Sequence, residues 1–301
     1  MADLVRGGGW RISATRSKTS RRLGCAILFW TMAAGLSSAP AQSPPASPER
    51  PAAAGTTMWV TTTQRLKTRV YESADLSAHP ILVVIAHGDS PFAPPKYQYR
   101  FAAGAAAAIP DMVAAAILRP GYSDGQDRSD GMRGDTTGDN YTPEVVEAVA
   151  TAVSELKARY HPRQVILVGH SGGSAIMADL LGSKAGIADA ALLVSCPCDL
   201  AAWRKHMFAV QGAPNWEQPV NSLSPLALVD DIPTSTRIWM LVGSEDPVTP
   251  QALTAAYAEA LRNHHIAVNV TVATGLAHDI LLEPVALDQL KDVVAALGTG
   301  R

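Results

Sequence analysis

Cysteine is scarce in this chain: three in 301 residues, at positions 25, 196 and 198. No group of Cys and His has the spacing of a zinc site, and no His-Glu-x-x-His occurs, so the common structural and catalytic zinc motifs are excluded. Charge of one sign is also lacking. Twenty-five Lys and Arg face twenty-seven Asp and Glu, for a net charge of -2. Neither nucleic acid nor an anionic membrane is a favoured partner for so balanced a chain. No internal repeat is visible, which excludes solenoids and propellers. No apolar run is long enough to cross a bilayer comfortably; residues 23–36 come nearest. What is abundant is apolar: 47% of residues are hydrophobic against 17% charged, a balance that suits a folded α/β domain with a full core and argues against disorder over most of the length.

The first 56 residues are of another kind. Arg6, Arg11, Arg16, Lys18, Arg21 and Arg22 precede the apolar run, and Ala39-Pro40-Ala41 follows it as a small-residue cleavage site. Residues 1–41 therefore read as a signal peptide, and export to the periplasm or medium is expected. Ser20-Arg21-Arg22 hints at a twin-arginine signal, although Gly24 stands where that pattern wants a bulky residue. An uncleaved anchor or a misplaced start is the alternative. Once the signal is removed, no stable membrane association is expected. Residues 42–56, with Pro44, Pro45, Pro48 and Pro51, form a linker without a core-making pattern. The folded part is expected over 57–301.

From there strands and helices alternate. Residues 58–64 and 66–72 alternate bulky and polar side chains, as an antiparallel pair with one wet face does. Aliphatic runs at 81–86, 112–118, 164–168, 190–195, 237–242 and 266–272 read as parallel strands. Helical stretches lie between them, one opened by Thr142 as cap, Pro143 at the first helical position and Glu144 at the positive helix end. The fold class is α/β: a doubly wound, mainly parallel sheet of about eight strands. Residues 200–230 break the alternation after the sixth strand. They read as a small helical insertion, whose Trp203, Met207, Phe208 and Trp216 either line a pocket or form a small core of their own.

One strand ends in chemistry. The run 164–168 leads into Gly169-His170-Ser171-Gly172-Gly173, and a helix follows. Gly-x-Ser-x-Gly alone is a weak signal in a glycine-rich chain, but between a buried strand and a helix it reads as a nucleophile elbow. Side chains at Gly169 or Gly173 would collide with the neighbouring helix and strand. The alternative is a plain strand-to-helix turn.

A serine hydroxyl needs a base, and the base needs an orienting acid. In a parallel sheet both belong in loops after strand ends. His278, past the last strand, fits the base; Asp246, past the penultimate strand, fits the acid, with Glu245, Asp230 and Asp231 as lesser candidates. His264 and His265 lie at a helix end, His206 lies in the insertion, and His170 is expected to point away from the nucleophile. Acyl transfer also needs donors for the oxyanion: the N–H of Gly172, and that of Asp89 in the loop after residues 81–86. The Asp89 carboxylate is an oddity there and has to be turned away or paired. The aspartates of 124–139 lack EF-hand spacing and read as a solvated loop. Cys196 and Cys198, two positions apart, read as unpaired thiols, since a bond between them closes a tight ring; a labile bond formed in an oxidising compartment is the alternative.

With His87-Gly88-Asp89, the segment Arg119-Pro120-Gly121-Tyr122-Ser123-Asp124-Gly125, the Ser171 elbow and the Asp246 and His278 loops in this order, the chain resembles α/β-hydrolase-fold serine hydrolases. Gly275-Leu276-Ala277-His278-Asp279 and the exported context resemble the dienelactone-hydrolase-like and prolyl-oligopeptidase-like branches; the propeller domain of the large peptidases has no counterpart here. The resemblance implies Ser171 as nucleophile, Asp246 as acid, His278 as base, a small-molecule ester as substrate, and neither cofactor nor metal. A peptidase or amidase with the same triad, a lipase using the apolar insertion, and a binding protein that kept the fold without its chemistry are the alternatives.

Overall fold

A computed structural model describes residues 55–61 and 64–298. The expected leader, and the linker as far as residue 54, lie outside them. The sheet has eight strands: β1 (Thr56–Thr61), β2 (Arg65–Glu72), β3 (Ile81–Ala86), β4 (Met112–Ile117), β5 (Gln164–His170), β6 (Ala190–Val194), β7 (Arg237–Gly243) and β8 (Ala267–Ala273), in the spatial order β1-β2-β4-β3-β5-β6-β7-β8. The first pairings, β1 with β2 and β2 with β4, are antiparallel and every later one is parallel.

Alternation along each strand decides which helix it meets. On β5, Val165 and Leu167 face one core, and Ile166 and Val168 the other. The first core is closed by α2 (Pro143–Tyr160), α3 (Gly172–Ser183) and α5 (Gln251–Asn263), through side chains such as Val149, Ile176 and Tyr257. The second is closed by α1 (Tyr97–Ala108) and α6 (Pro284–Gly298), through Phe101, Ala102, Leu290 and Val293. The strands of the middle are buried on both faces, hence their unbroken aliphatic runs. Helix α2 starts as its sequence requires, with the Thr142 side chain accepting from the N–H of Val145 and Pro143 at the first position.

The insertion consists of α4 (Leu200–Gln211) and two short 3₁₀ turns, Pro214–Trp216 and Pro225–Asp231. Its Trp203, Met207 and Trp216 join the first core instead of standing apart. The two cysteines depart from expectation: Cys196 and Cys198 are bonded, both buried. Ser195 takes left-handed backbone (φ 50°) at the end of β6, and the turn that follows brings the two Cα atoms to 5.1 Å, a separation a disulfide spans. The aspartate-rich loop is also more than solvated. Asp124 and Asp127 pair with Lys67 at 2.7 and 2.6 Å, Asp130 pairs with Arg65, and Asp124 is buried.

Candidate active site

Strand β5 runs out at His170 and α3 begins at Gly172, so one residue makes the turn. That residue, Ser171, holds φ 52° and ψ -125°, a conformation side chains rarely adopt and that costs on the order of 1–3 kcal/mol. Its N–H donates to the carbonyl of Val194 at 2.8 Å, which ties the turn to β6. The flanking glycines are there for space. A Cβ on Gly169 would meet the backbone of Gly173 and Ser174 in α3, and one on Gly173 would meet the carbonyls of Ala86 and His87 at the end of β3.

Two other strand ends deliver the partners. Asp246 follows β7 and His278 follows β8. The Nδ1 of His278 lies 2.9 Å from Oδ2 of Asp246, and its Nε2 lies 2.9 Å from Oγ of Ser171. A carboxylate only accepts, so Nδ1 carries the ring proton and Nε2 presents its lone pair to the serine hydroxyl. Asp246 is itself held: its Oδ1 accepts from the N–H groups of Val248 and Thr249, and its Oδ2 from the Thr249 hydroxyl at 2.7 Å. Burial alone would raise the Asp246 carboxyl, but the bond and charge of His278 and the Thr249 donors bring it down to about 2. It is therefore ionised at any pH near neutral.

Among the lesser candidates, Glu245 is exposed beside Asp246, and Asp230 pairs with His264 at 3.0 Å. His206 reaches the carbonyl of Pro247. His170 differs from expectation: its ring lies 5.2 Å from that of His278 and bonds to the His278 carbonyl. Its side chain reaches the loop that carries the imidazole.

The Asp89 carboxylate is paired. Its Oδ1 accepts from Nη1 of Arg119 at 2.9 Å and from the Tyr122 hydroxyl, and its Oδ2 from the Tyr141 hydroxyl at 2.7 Å. Arg119, fully buried, also donates from Nη1 to the His87 carbonyl and from Nη2 to Oδ1 of Asn140. Gly172, the first residue of α3, keeps an N–H that a helix leaves without an internal acceptor. Arg119 and Tyr122 stood in a segment marked by its resemblance; Tyr97, Tyr141, Thr249 and Ser195 carried no signal in the sequence, because only packing brings them to the site.

A cavity of about 410 Å³ opens beside Ser171 and His278, walled by Pro91, Phe92, Leu281 and Leu282. No residue of the insertion lines it, so Trp203, Met207, Phe208 and Trp216 serve the core and not this pocket. Among the described residues one group of metal-binding type occurs, His170, His278 and Asp279, with one ligand atom from each within 4.8 Å of the others. The ring nitrogens of both histidines are already engaged in hydrogen bonds, so its lone pairs are committed elsewhere.

Among curated proteins none matches this sequence. Solved structures match by shape at low identity, which reports the fold. The acylaminoacyl peptidase of Pyrococcus horikoshii superposes with a TM-score of 0.63 at 11% identity, over 81% of this chain and 41% of that one. Est1E of Butyrivibrio proteoclasticus, solved with ferulic acid bound, gives 0.62 at 14% identity, over 79% of this chain and 98% of its own. The esterase PF2001 of Pyrococcus furiosus gives 0.59 at 16%, over 85% and 94%. The chain thus spans about two fifths of the length of the acylaminoacyl peptidases it matches, at 41%. The sequence model of the alpha/beta hydrolase family matches residues 83–290, from β3 through the loops of Ser171, Asp246 and His278 into α6, and the chain belongs to that family.

Proposed function

We propose that the protein is a serine hydrolase that cleaves a carboxylic ester of modest size through an acyl-enzyme. The observation that carries this reading is the line of hydrogen bonds from Asp246 through His278 to Ser171, each at 2.9 Å. His278 Nε2 takes the hydroxyl proton as Ser171 Oγ adds to the ester carbonyl. The negative charge on the carbonyl oxygen is met by the N–H groups of Gly172 and Asp89. The intermediate collapses, and the alcohol leaves with the proton held by His278. A water then gives its proton to His278 and attacks the acyl carbonyl; the bond to Ser171 Oγ breaks, Oγ takes the proton back from His278, and the acid is released. Asp246 stabilises the imidazolium in both halves and stays ionised throughout. These steps call for no cofactor. Export to the periplasm or medium is part of the proposal, on the strength of residues 1–41.

Esterases and peptidases both stand among the structures of similar fold; the ester is placed first because its alcohol leaves more readily than the amine of an amide. The second reading is a peptidase or amidase using the same residues. The test is hydrolysis of p-nitrophenyl acetate by the wild type and by Ser171→Ala, with labelling by a fluorophosphonate and a panel of matched esters and amides. Loss of turnover and of labelling in a folded Ser171→Ala variant is expected, on the order of a millionfold in rate. Retained turnover removes the assignment, and faster cleavage of amides than of matched esters turns it to the second reading.

A further inference from the structure

The mechanism above leaves His170 and Tyr97 without a task, yet they stand between the Gly88 loop and the loop of His278. The Nε2 of His170 lies 3.0 Å from the carbonyl oxygen of His278. A carbonyl only accepts, so that nitrogen carries the proton and Nδ1 is left as an acceptor. The hydroxyl of Tyr97 lies 2.8 Å from Nδ1 and donates to it. The same oxygen accepts from the N–H of Gly88 at 2.5 Å. The bonds therefore run in one direction: Gly88 N–H to Tyr97, Tyr97 O–H to His170, His170 N–H to the His278 carbonyl.

Each end of that line matters. Gly88 precedes Asp89, whose N–H is assigned to the oxyanion. A Cβ at Gly88 would stand 2.7 Å from Cβ of Ser171, so the loop rests directly on the nucleophile. At the other end, the His278 carbonyl also accepts from Ser195 Oγ at 3.1 Å and from the N–H of Ile280 at 2.9 Å. Three donors thus clamp the backbone that aims the imidazole. Burial keeps both members in the protonation state that the line requires. It lowers His170 to about 4, with the His278 charge adding to the effect, and it pushes the Tyr97 phenol up.

We propose that Tyr97 and His170 are positioning residues, a hydrogen-bonded pair that couples the loop of the second oxyanion donor to the loop carrying His278. The pair rests on the reading of Ser171 and His278 given above. It forms no bond to the reacting atoms; it sets where two groups that do so stand. Such placement is worth about 100-fold in rate when lost, the effect of a displacement near 1 Å.

The test is steady-state hydrolysis of p-nitrophenyl acetate, with melting curves, for Tyr97→Phe, His170→Leu, the double variant and His170→Gln. Tyr97→Phe and His170→Leu are each expected to lower kcat by about 100-fold with KM little changed. The double variant is expected to be no slower than the slower single one, because either change breaks the same line. His170→Gln is expected to recover most of the loss, since one amide both donates to the His278 carbonyl and accepts from Tyr97. A wild-type kcat in either single variant, losses that add in the double, or a Gln variant as slow as the Leu variant would each overturn the pair. If His170→Leu fails to fold, Tyr97→Phe, which removes one oxygen, decides the matter by itself. A wild-type protein that neither turns over the ester nor takes the fluorophosphonate overturns the reading of the site as well; a slow Ser171→Ala beside a fast Tyr97→Phe overturns this inference alone.

Discussion

Arg119 Nη1 donates to Oδ1 of Asp89 at 2.9 Å, with the guanidinium wholly buried and the carboxylate nearly so. A negative charge on the same residue as a proposed oxyanion donor would oppose the developing charge of the proposed reaction, and this ion pair, with the hydroxyls of Tyr122 and Tyr141, neutralises it. Removing the arginine would strand a buried carboxylate at a cost of about 3–5 kcal/mol, too blunt a change to read mechanism from. Tyr141→Phe is the finer probe. It deletes one donor to a charged acceptor, worth about 1.5–3 kcal/mol of stability, and leaves Arg119 in place. Urea unfolding is expected to show that loss, and kcat is expected to fall with KM nearly constant. An unchanged kcat would mean that the Asp89 charge has no bearing on the reaction.

The glycines divide into those that make room and those that do not. Gly173→Ala puts a methyl group against the carbonyls of Ala86 and His87, backbone atoms that have nowhere to go. Gly104, inside α1, has nothing within 4 Å of its added Cβ. Thermal melts are expected to show Gly173→Ala destabilised by at least about 1–3 kcal/mol, as overpacking costs. Gly104→Ala is expected to be stabilised by roughly 0.5–1 kcal/mol through its helix propensity.

Asp179, in α3, has no exposed surface, and neither of its carboxylate oxygens finds a hydrogen-bond partner among the described residues. Burial pushes its carboxyl well above the usual range. The native state therefore holds the proton where the unfolded chain has released it. Stability falls as pH rises from the unfolded value, near 4, through the native one. Asp179→Asn removes the ionisation. Its Tm is expected to exceed that of the wild type at pH 8, by about 2–4 °C for each kcal/mol recovered, with little gain at pH 4. Equal gains at both pH values would show that the Asp179 carboxyl releases its proton in the native state over the same range as in the unfolded chain.

Leu282 is 39% exposed at the rim of the cavity beside Ser171, and Leu281 is buried behind it. Leu282→Trp narrows that space without touching Ser171, His278 or Asp246. Across p-nitrophenyl acetate, butyrate and hexanoate, kcat/KM is expected to fall for the longer chains by about 10-fold or more relative to acetate, the range that small changes in an apolar pocket produce. A uniform change across the series would place the acyl group elsewhere.

The order of elements and the places of the candidate site residues were legible in one dimension because each signal is local. An aliphatic run buried on both faces, a capped helix start at Thr142, and glycines around Ser171 all act within a few residues of themselves. The Ser171, Asp246 and His278 loops could be read by their places after strand ends, since a parallel sheet sends every such end to the same edge. Glu245 and Asp246 were separable only by burial and by Thr249, which turns one carboxylate inward.

The amino-acid sequence by itself determined the doubly wound sheet, its eight strands and which loops would meet. Periodicity and turn chemistry suffice for those. Tertiary structure alone decided what surrounds them: that Cys196 and Cys198 bond, that the insertion packs into the core and leaves the pocket to the loops of Phe92 and Leu282, and that His170 and Tyr97 bridge Gly88 to His278. These contacts join residues distant along the chain, with partners chosen by how helices settle on the sheet, and no local pattern of residues records that choice.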